Sequence, residues 1–403
     1  MDGQLSGLLM RQPDVMRTPP ARRGLASALV AVPVALLVST LPAPASASSV
    51  PTGGASAVLS RMSLPQRVGQ LFMVGTPAAG GSSSTLDEIG SYHVGNVILT
   101  GRSSKGTVAT AKVTATLRSR ATGQATYGVP LFVAIDQEGG SVQVLSGTGF
   151  SSIPSALTQG TWATTTLRDR AARWGTQLRS AGVNVDLAPV TDTVPSAEAA
   201  ENNPPIGFYH REFGYTTTRV AAHARAFLRG MTDADVASTT KHFPGLGRVT
   251  ANPDTTAGVT DDVTTRHDAY IGPFAAAVDA GVPFLMMSTA YYSRIDSVHP
   301  AAFSSTVVTG MVRGDLGFTG VIVSDDLGAA RQVAHWSPGG RALTFLRAGG
   351  DMVLTVDPSV LPAMYHAVLD QARSSASFRA RVNASALRVL RAKQRFGLIP
   401  RAG

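Results

Sequence analysis

The sequence predicts an α/β fold, a single (β/α)8 barrel of the TIM type with a C-terminal helix. Three observations predict it. Eight short β-rich runs recur along the chain, most of them continuously apolar, as strands buried on both faces of a parallel sheet are. The segments between them are long enough for crossover helices, and several carry the 3.6-residue apolar period. Barrels of this kind run past ~250 residues as one unit, so 403 residues do not require a second globular domain. An open doubly wound sheet suits eight strand–helix units less well. No Gly-x-Gly-x-x-Gly follows the first strand, so a dinucleotide site is unsupported.

The elements follow in order. Arg17, Arg22 and Arg23 precede an apolar stretch from Leu25 to Leu41, which runs into Pro42, Pro44 and the small residues Ala45, Ser46 and Ala47. This is the pattern of a secretory signal cleaved after Ala47. A membrane anchor fits less well, because the stretch is shorter than the ~20 residues of a span and contains Pro33. Residues 1–15 add nothing a signal needs, so Met16 can serve as the start. Residues 1–47 are therefore expected to be removed, 48–58 to form a Ser/Pro/Gly-rich lead-in, and 59–398 to form the barrel. The mature protein is expected to be secreted or held in the cell envelope, with no stable membrane insertion.

The eight runs are LFMVG at Leu71, VGNVILTG at Val94, LFVAID at Leu131, VNVDLAPV at Val183, ASTTKHF at Ala237, FLMMSTA at Phe284, GVIVSDD at Gly320 and DMVLTV at Asp351. Between the third and fourth, Leu167, Ala171, Trp174 and Leu178 form one helical stripe that ends before Gly182. Between the fourth and fifth, Val220, Ala224, Phe227, Leu228 and Met231 form another, behind a threonine cap at Thr216 or Thr217. Phe378 to Phe396 reads as the C-terminal helix, with Val382, Ala386, Val389 and Leu390 on one side. No second folded domain is expected.

Composition removes several function classes. There are no cysteines, which excludes disulfides, thiolate metal sites and a cysteine nucleophile. Lys+Arg number 35 against 26 Asp+Glu, a net charge of +9, but the lysines are only Lys105, Lys112, Lys241 and Lys393, and no basic run appears. Nucleic acid is not an expected partner.

In a barrel of this type the active site lies at the C-terminal ends of the strands, so polar residues that interrupt a finishing apolar run are the candidates. Four strands finish this way: the third at Asp136, the fourth toward Asp192, the fifth at Lys241 and His242, and the seventh at Ser324, Asp325 and Asp326. One charged residue at a strand end is commonly a cap or an ion-pair partner; four sets converging on one barrel mouth are better explained by chemistry. No three ligands stand at metal spacing, and no serine sits in a nucleophile elbow, so no metal or cofactor is expected. Paired carboxylates with hydrogen-bonding neighbours suit glycosidic cleavage, in which one carboxylate attacks or stabilises the anomeric carbon while another group protonates the departing oxygen.

IDQEGGSVQ from Ile135, KHFPGLG from Lys241 and GVIVSDDL from Gly320 resemble the signature segments of glycoside hydrolase family 3, and GQLFMVG, GNVILTGR, NVDLAPV and GDLGFTG between them resemble it too. The resemblance runs roughly from Leu59 to Leu398. The DQEGG and KHFPG wording on a single barrel is most similar to the bacterial β-N-acetylglucosaminidases of that family, which are retaining. It implies a carbohydrate substrate, Asp325 as covalent nucleophile, and Asp136, Lys241 and His242 as groups that hold sugar hydroxyls. It further implies hydrolysis of β-linked N-acetylglucosamine from cell-wall or related glycans. Another β-glycoside, or a barrel that binds glycan without turning it over, is the alternative.

The chain departs from the family in three places. Where similar enzymes carry Asp-Ser-His after KHFPG, with the histidine as acid/base, this chain has Asn252, Pro253 and Asp254, and none of its eight histidines lies between Gly245 and Asp262. Asp254 is the positional replacement for the proton donor; its other role would be to cap a turn. The arginine after DQEGG is Ser141. In place of Gly-Glu-Arg the chain reads Gly207, Phe208, Tyr209, and Arg211 follows two positions later as the expected substrate-binding arginine.

Overall fold

The computed structural model describes residues 53–400. The expected signal, residues 1–47, lies outside the described residues. Eight parallel strands close into a barrel in sequential order: β1 (Phe72–Pro77), β2 (Asn96–Thr100), β3 (Phe132–Ile135), β4 (Val185–Asp186), β5 (Ala237–Phe243), β6 (Phe284–Met287), β7 (Val321–Asp326) and β8 (Met352–Thr355), with β8 pairing back to β1. Each strand falls on one of the eight apolar runs, β1 continuing two residues past its run to Pro77. β4 is much shorter than its run, because Pro189 has no N–H to give to a ladder.

Helices return the chain outside the barrel. Thr164–Ser180 buries Leu167, Ala171, Trp174 and Leu178, and Thr217–Asp233 buries Val220, Ala224, Phe227, Leu228 and Met231. The second begins at Thr216, whose hydroxyl accepts a hydrogen bond from the Arg219 N–H at 3.3 Å. These neighbouring helices meet through Trp174 and Phe227, whose ring centroids are 6.2 Å apart. The crossover before β7 is a wide π-type helix, Thr306–Asp315. The C-terminal helix, Ala376–Arg395, lays Val389 and Ala392, with Phe396 just beyond, against the barrel interior, closing the end opposite the strand termini. Lys393 is fully buried there and donates to Gln70 Oε1 and the Gly95 carbonyl, both at 2.8 Å. A helix at Ala55–Arg61 begins inside the expected lead-in; Ala55 and Val58 pack with Leu390 and Ile399. No described helix is long and apolar enough to cross a membrane.

Side chains fill the barrel in layers from alternate strands. Ile98 on β2, Leu187 just past β4, Met286 on β6 and Leu354 on β8 form the uppermost apolar layer, which is also the floor of the cavity above it. The next positions outward on the odd strands are Gly75, Asp136, Lys241 and Asp325. The polar cluster therefore continues the layering of the core. Gly75 must remain small, since a Cβ there would lie 2.5 Å from the Val356 carbonyl oxygen.

Candidate active site

Two breaks in strand register aim the key side chains. β5 and β6 pair Thr240 with Leu285 and then Phe243 with Met287, so Lys241 and His242 lie in a bulge. β7 and β8 pair Val323 with Met352 and then Asp326 with Leu354, which puts Ser324 and Asp325 in a second bulge. Bulges of this kind re-aim side chains. Ser324 Oγ accepts the Leu354 N–H at 2.9 Å and secures the second one.

Above the apolar floor is a cavity of about 440 Å³ lined by Asp136, Arg211, Lys241, His242, Asp254, Asp325 and Asp326, with Val142 and Pro205 among the wall residues. All six residues given a catalytic or binding role from the sequence are thus brought to one cavity. One side of it is charged and its floor is apolar, which matches a pyranose ring with hydroxyls on its edge and C–H groups on its faces.

Lys241 stands at the centre of a buried charge network. Its Nζ is 2.6 Å from Asp136 Oδ1 and 2.6 Å from Glu138 Oε1. Arg211 grips Glu138 with both arms of its guanidinium, Nε to Oε2 and Nη2 to Oε1, each at 2.8 Å, while Nη1 donates to the Pro205 carbonyl at 2.7 Å. Burial pushes the Glu138 carboxyl up, but Arg211 and Lys241 outweigh it and hold the group at about 2. The same carboxylates keep Lys241 protonated against its own burial. Arg211 therefore reaches a ligand only with its remaining N–H groups, and its first partner is Glu138. Below the network, Asp186 on β4 is fully buried; its Oδ1 accepts the Gln137 N–H at 3.1 Å and its Oδ2 has no partner. Desolvation pushes its carboxyl up to about 8.

His242 is oriented by Asp192, which is fully buried. The ring donates from Nδ1 to Asp192 Oδ2 at 2.7 Å, and the same carboxylate accepts the backbone N–H groups of His242 and, at 2.8 Å, Leu246. With the Nδ1 proton committed, Nε2 is left to act as an acceptor or a proton-exchange site at the cavity.

Asp325 and Asp326 diverge. Asp326 accepts three backbone N–H groups, from Gly328, Ala329 and Val356, and so anchors the loop after β7. Asp325 accepts only the Asp326 N–H, at 2.9 Å. Its carboxyl is raised by burial first and by Asp254, with His242 and Lys241 pulling the other way. Asp254 reaches the cavity from the loop after β5. Its side chain accepts no hydrogen bond among the described residues; the turn is capped by Asn252, whose Oδ1 accepts the Asp254 N–H at 2.9 Å. Asp254 is solvent-accessible, but the protein around it still raises its carboxyl, assisted by the Asp326 and Asp136 charges and opposed by His242 and Arg211.

One contributor was not singled out from the sequence as a site residue. Glu138 had an available signal, since positions 136 and 138 fall on one side of an extended segment. Asp192 was a candidate from its place beyond the fourth run, but its pairing with His242 is a tertiary contact that neither segment announces.

Comparison with known proteins places this geometry among its relatives. Residues 63–392 match the family model described as "Glycosyl hydrolase family 3 N terminal domain". The chain is 34% identical over 270 residues to a beta-hexosaminidase of Xylella fastidiosa (strain 9a5c), covering 64% of this chain and 76% of the relative. It is 31% identical over 267 residues to one from Stenotrophomonas maltophilia (strain K279a), with the same coverage. Among solved structures it resembles a beta-N-acetylhexosaminidase from Beutenbergia cavernae DSM 12333, with a TM-score of 0.82 and 56% identity over 82% of this chain and 98% of that one. A family 3 beta-N-acetylglucosaminidase from Paenibacillus sp. str. FPU-7 superimposes with a TM-score of 0.76 and 31% identity, over 84% of this chain and 63% of the other.

Proposed function

Because the chain belongs to glycosyl hydrolase family 3, we propose that it is a retaining β-N-acetylhexosaminidase in which Asp325 is the nucleophile and Asp254 the acid/base. The observation that carries this reading is the pair of carboxylates, Asp325 and Asp254, facing one cavity with no cation in hydrogen-bonding contact among the described residues, beside an ion network that engages Asp136 and Glu138. The names of its relatives support the substrate class.

In the first step an Asp325 oxygen attacks the anomeric carbon as the C1–O bond to the leaving group breaks and Asp254 passes its proton to the departing oxygen. In the second, water attacks C1, its proton goes to Asp254, and the ester to Asp325 opens with overall retention. Asp136, Lys241, His242 and Arg211 hold the sugar hydroxyls, and Asp192 and Glu138 position the groups that do so.

The signal-like N-terminus supports export and action on envelope glycan fragments. N-terminal sequencing of the secreted protein should begin at Ser48. The activity is tested with a panel of aryl β-glycosides and a 2-fluoro sugar trap: turnover of the N-acetylglucosaminide and a covalent adduct on Asp325 are expected. Adduct formation on another residue overturns the nucleophile, preference for a different glycoside overturns the substrate, and sugar binding without turnover leaves a glycan-binding barrel.

A further inference from the structure

Phe208 and Tyr209 are the only aromatic side chains among the exposed large apolar residues described, at 61% and 45% exposure. With His210 they separate Gly207 from Arg211. Their rings pack edge to face, with centroids 5.1 Å apart at 86°, so each holds the other's orientation while much of the pair remains exposed to solvent.

The turn that carries them is built into the cavity wall. Its two flanks, Pro205 and Arg211, line the cavity, and Arg211 Nη1 ties them together through the Pro205 carbonyl. Consecutive Cα atoms are ~3.8 Å apart, so the Tyr209 Cα lies within about 8 Å of the Arg211 Cα. The turn is rigid. Asn203 Oδ1 accepts the Ile206 and Gly207 N–H groups, and the Asn203 carbonyl accepts the Phe208 N–H at 3.0 Å. Gly207 lies flat on the short helix Ala197–Glu201, where a Cβ would come within 2.5 Å of the Ala200 Cα. Asn203 also fixes the direction in which the turn faces its surroundings: its Nδ2 donates to the carbonyls of Leu246 at 2.8 Å and Val249 at 2.7 Å. These residues belong to the loop that delivers Asp254, and that loop marks the side from which the leaving group departs.

We propose that Phe208 and Tyr209 form an aglycone subsite that stacks the second sugar ring of a β-linked glycan, an inference that rests on the hydrolase reading above. Solvent-facing rings held in place without a protein partner lose little conformational freedom on binding. The C–H face of a pyranose meets the electron-rich face of an aromatic ring favourably and removes apolar area from water. The platform therefore favours substrates whose leaving group is itself a sugar.

The test compares the β-linked N-acetylglucosamine disaccharide with methyl β-N-acetylglucosaminide, which shares an alkoxide leaving group but has no second ring. In Phe208→Ala/Tyr209→Ala, kcat/KM for the disaccharide should fall about tenfold, equivalent to about 1.4 kcal/mol, with the methyl glycoside unchanged. Phe208→Trp/Tyr209→Trp should restore the disaccharide rate. Equal falls on both substrates, or no fall on either, overturn the proposal. Calorimetric binding of disaccharide and monosaccharide to Asp325→Ala, with and without the aromatic pair, reads the platform independently of turnover. If the wild-type protein hydrolyses neither substrate, the hydrolase reading fails, while a preference for the disaccharide that vanishes with the rings still supports the platform and an unchanged preference refutes it.

Discussion

Replacing Asp254 with alanine isolates proton transfer from the rest of the site. The side chain accepts no hydrogen bond among the described residues, while the turn depends on backbone groups that alanine keeps: the Asp254 N–H to Asn252 Oδ1, and the Asp254 carbonyl, which accepts the Arg331 N–H at 3.0 Å. Folding stability should thus stay within about 0.5 kcal/mol of wild type. Loss of a positioned general acid costs about 10²- to 10⁴-fold, or roughly 3–5 kcal/mol of barrier. That full cost falls on alkyl glycosides and sugar leaving groups, which cannot depart as anions. Nitrophenolate departs without a proton, so kcat/KM for the nitrophenyl glycoside should change less than about tenfold, while kcat drops because water has lost its base. Azide should restore kcat and yield the β-glycosyl azide. The wild-type carboxyl is raised from the ordinary aspartate range, so the acid form persists to higher pH and a falling basic limb in kcat/KM follows its ionisation. That limb should disappear in the variant. Equal losses on both substrate types, with no azide rescue, would refute the assignment and return Asp254 to a structural role.

Other perturbations have equally specific expectations. Lys241→Ala removes the cation shared by Asp136 and Glu138, and kcat/KM should fall at least 100-fold, roughly 3 kcal/mol; an unchanged value in steady-state assays discards the hydroxyl-gripping role. Arg211→Met leaves Glu138 with one cation where it had two, and should cost about 3 kcal/mol of stability in urea unfolding; a loss below ~0.5 kcal/mol would show that Lys241 suffices. Asp186→Asn keeps the acceptor used by Gln137 and removes a carboxyl whose folded value is about 8 against 3.8 in its reference state. Between those values the native protein holds a proton that the unfolded chain has released, so wild-type stability declines as pH rises, by up to about 1.4 kcal/mol per unit. Urea titrations at pH 5, 6, 7 and 8 should show a shallower decline in the variant, and parallel curves would place the pH dependence elsewhere.

How much of this was legible in the sequence depends on the range of the interaction. Most of the strands were visible because a strand buried on both faces is mostly apolar, as in Phe132–Ile135 and Phe284–Met287, whereas β5 is buried throughout with Ser238, Thr239 and Thr240 in it. Asp136, Lys241 and Asp325 stood out because each breaks such a run at its outward end. Contacts that depend on loop geometry left no local trace. The Arg211–Glu138 pair spans 73 residues and Asp192–His242 spans 50, and nothing in either segment announces its partner. The helix at Ala55–Arg61 was hidden for a related reason: its composition reads as a linker, and it is held by packing on the far end of the chain. The paired segments Gln137–Gly139 with Val142–Gln143, and Thr260–Asp261 with Tyr291–Tyr292, are too short for alternation to register.

The proposed role of Asp254 puts a carboxyl where the resemblance implies a loop histidine. An acid/base must be protonated at the first step and ionised at the second, and a solvated aspartate would be ionised throughout at neutral pH. Here burial raises both carboxyls first, the Asp254 charge raises Asp325 further, and repulsion between two anions acts on both. The proposed cycle requires that a proton shared by the pair rests on Asp254 while Asp325 attacks as an anion. Once Asp325 becomes an ester its charge is gone, the repulsion on Asp254 ends, and the carboxylate left by the first proton transfer is stable enough to serve as base for the incoming water. His242 opposes the rise of both carboxyls. The cycle requires the nucleophile and the proton donor to be coupled electrostatically, so Asp325→Asn, which is neutral in both steps, should draw the ionisation of Asp254 down toward the ordinary aspartate range. Infrared titration of the Asp254 carboxyl in that variant would detect the change, and an unmoved titration would mean that burial alone sets the proton's affinity.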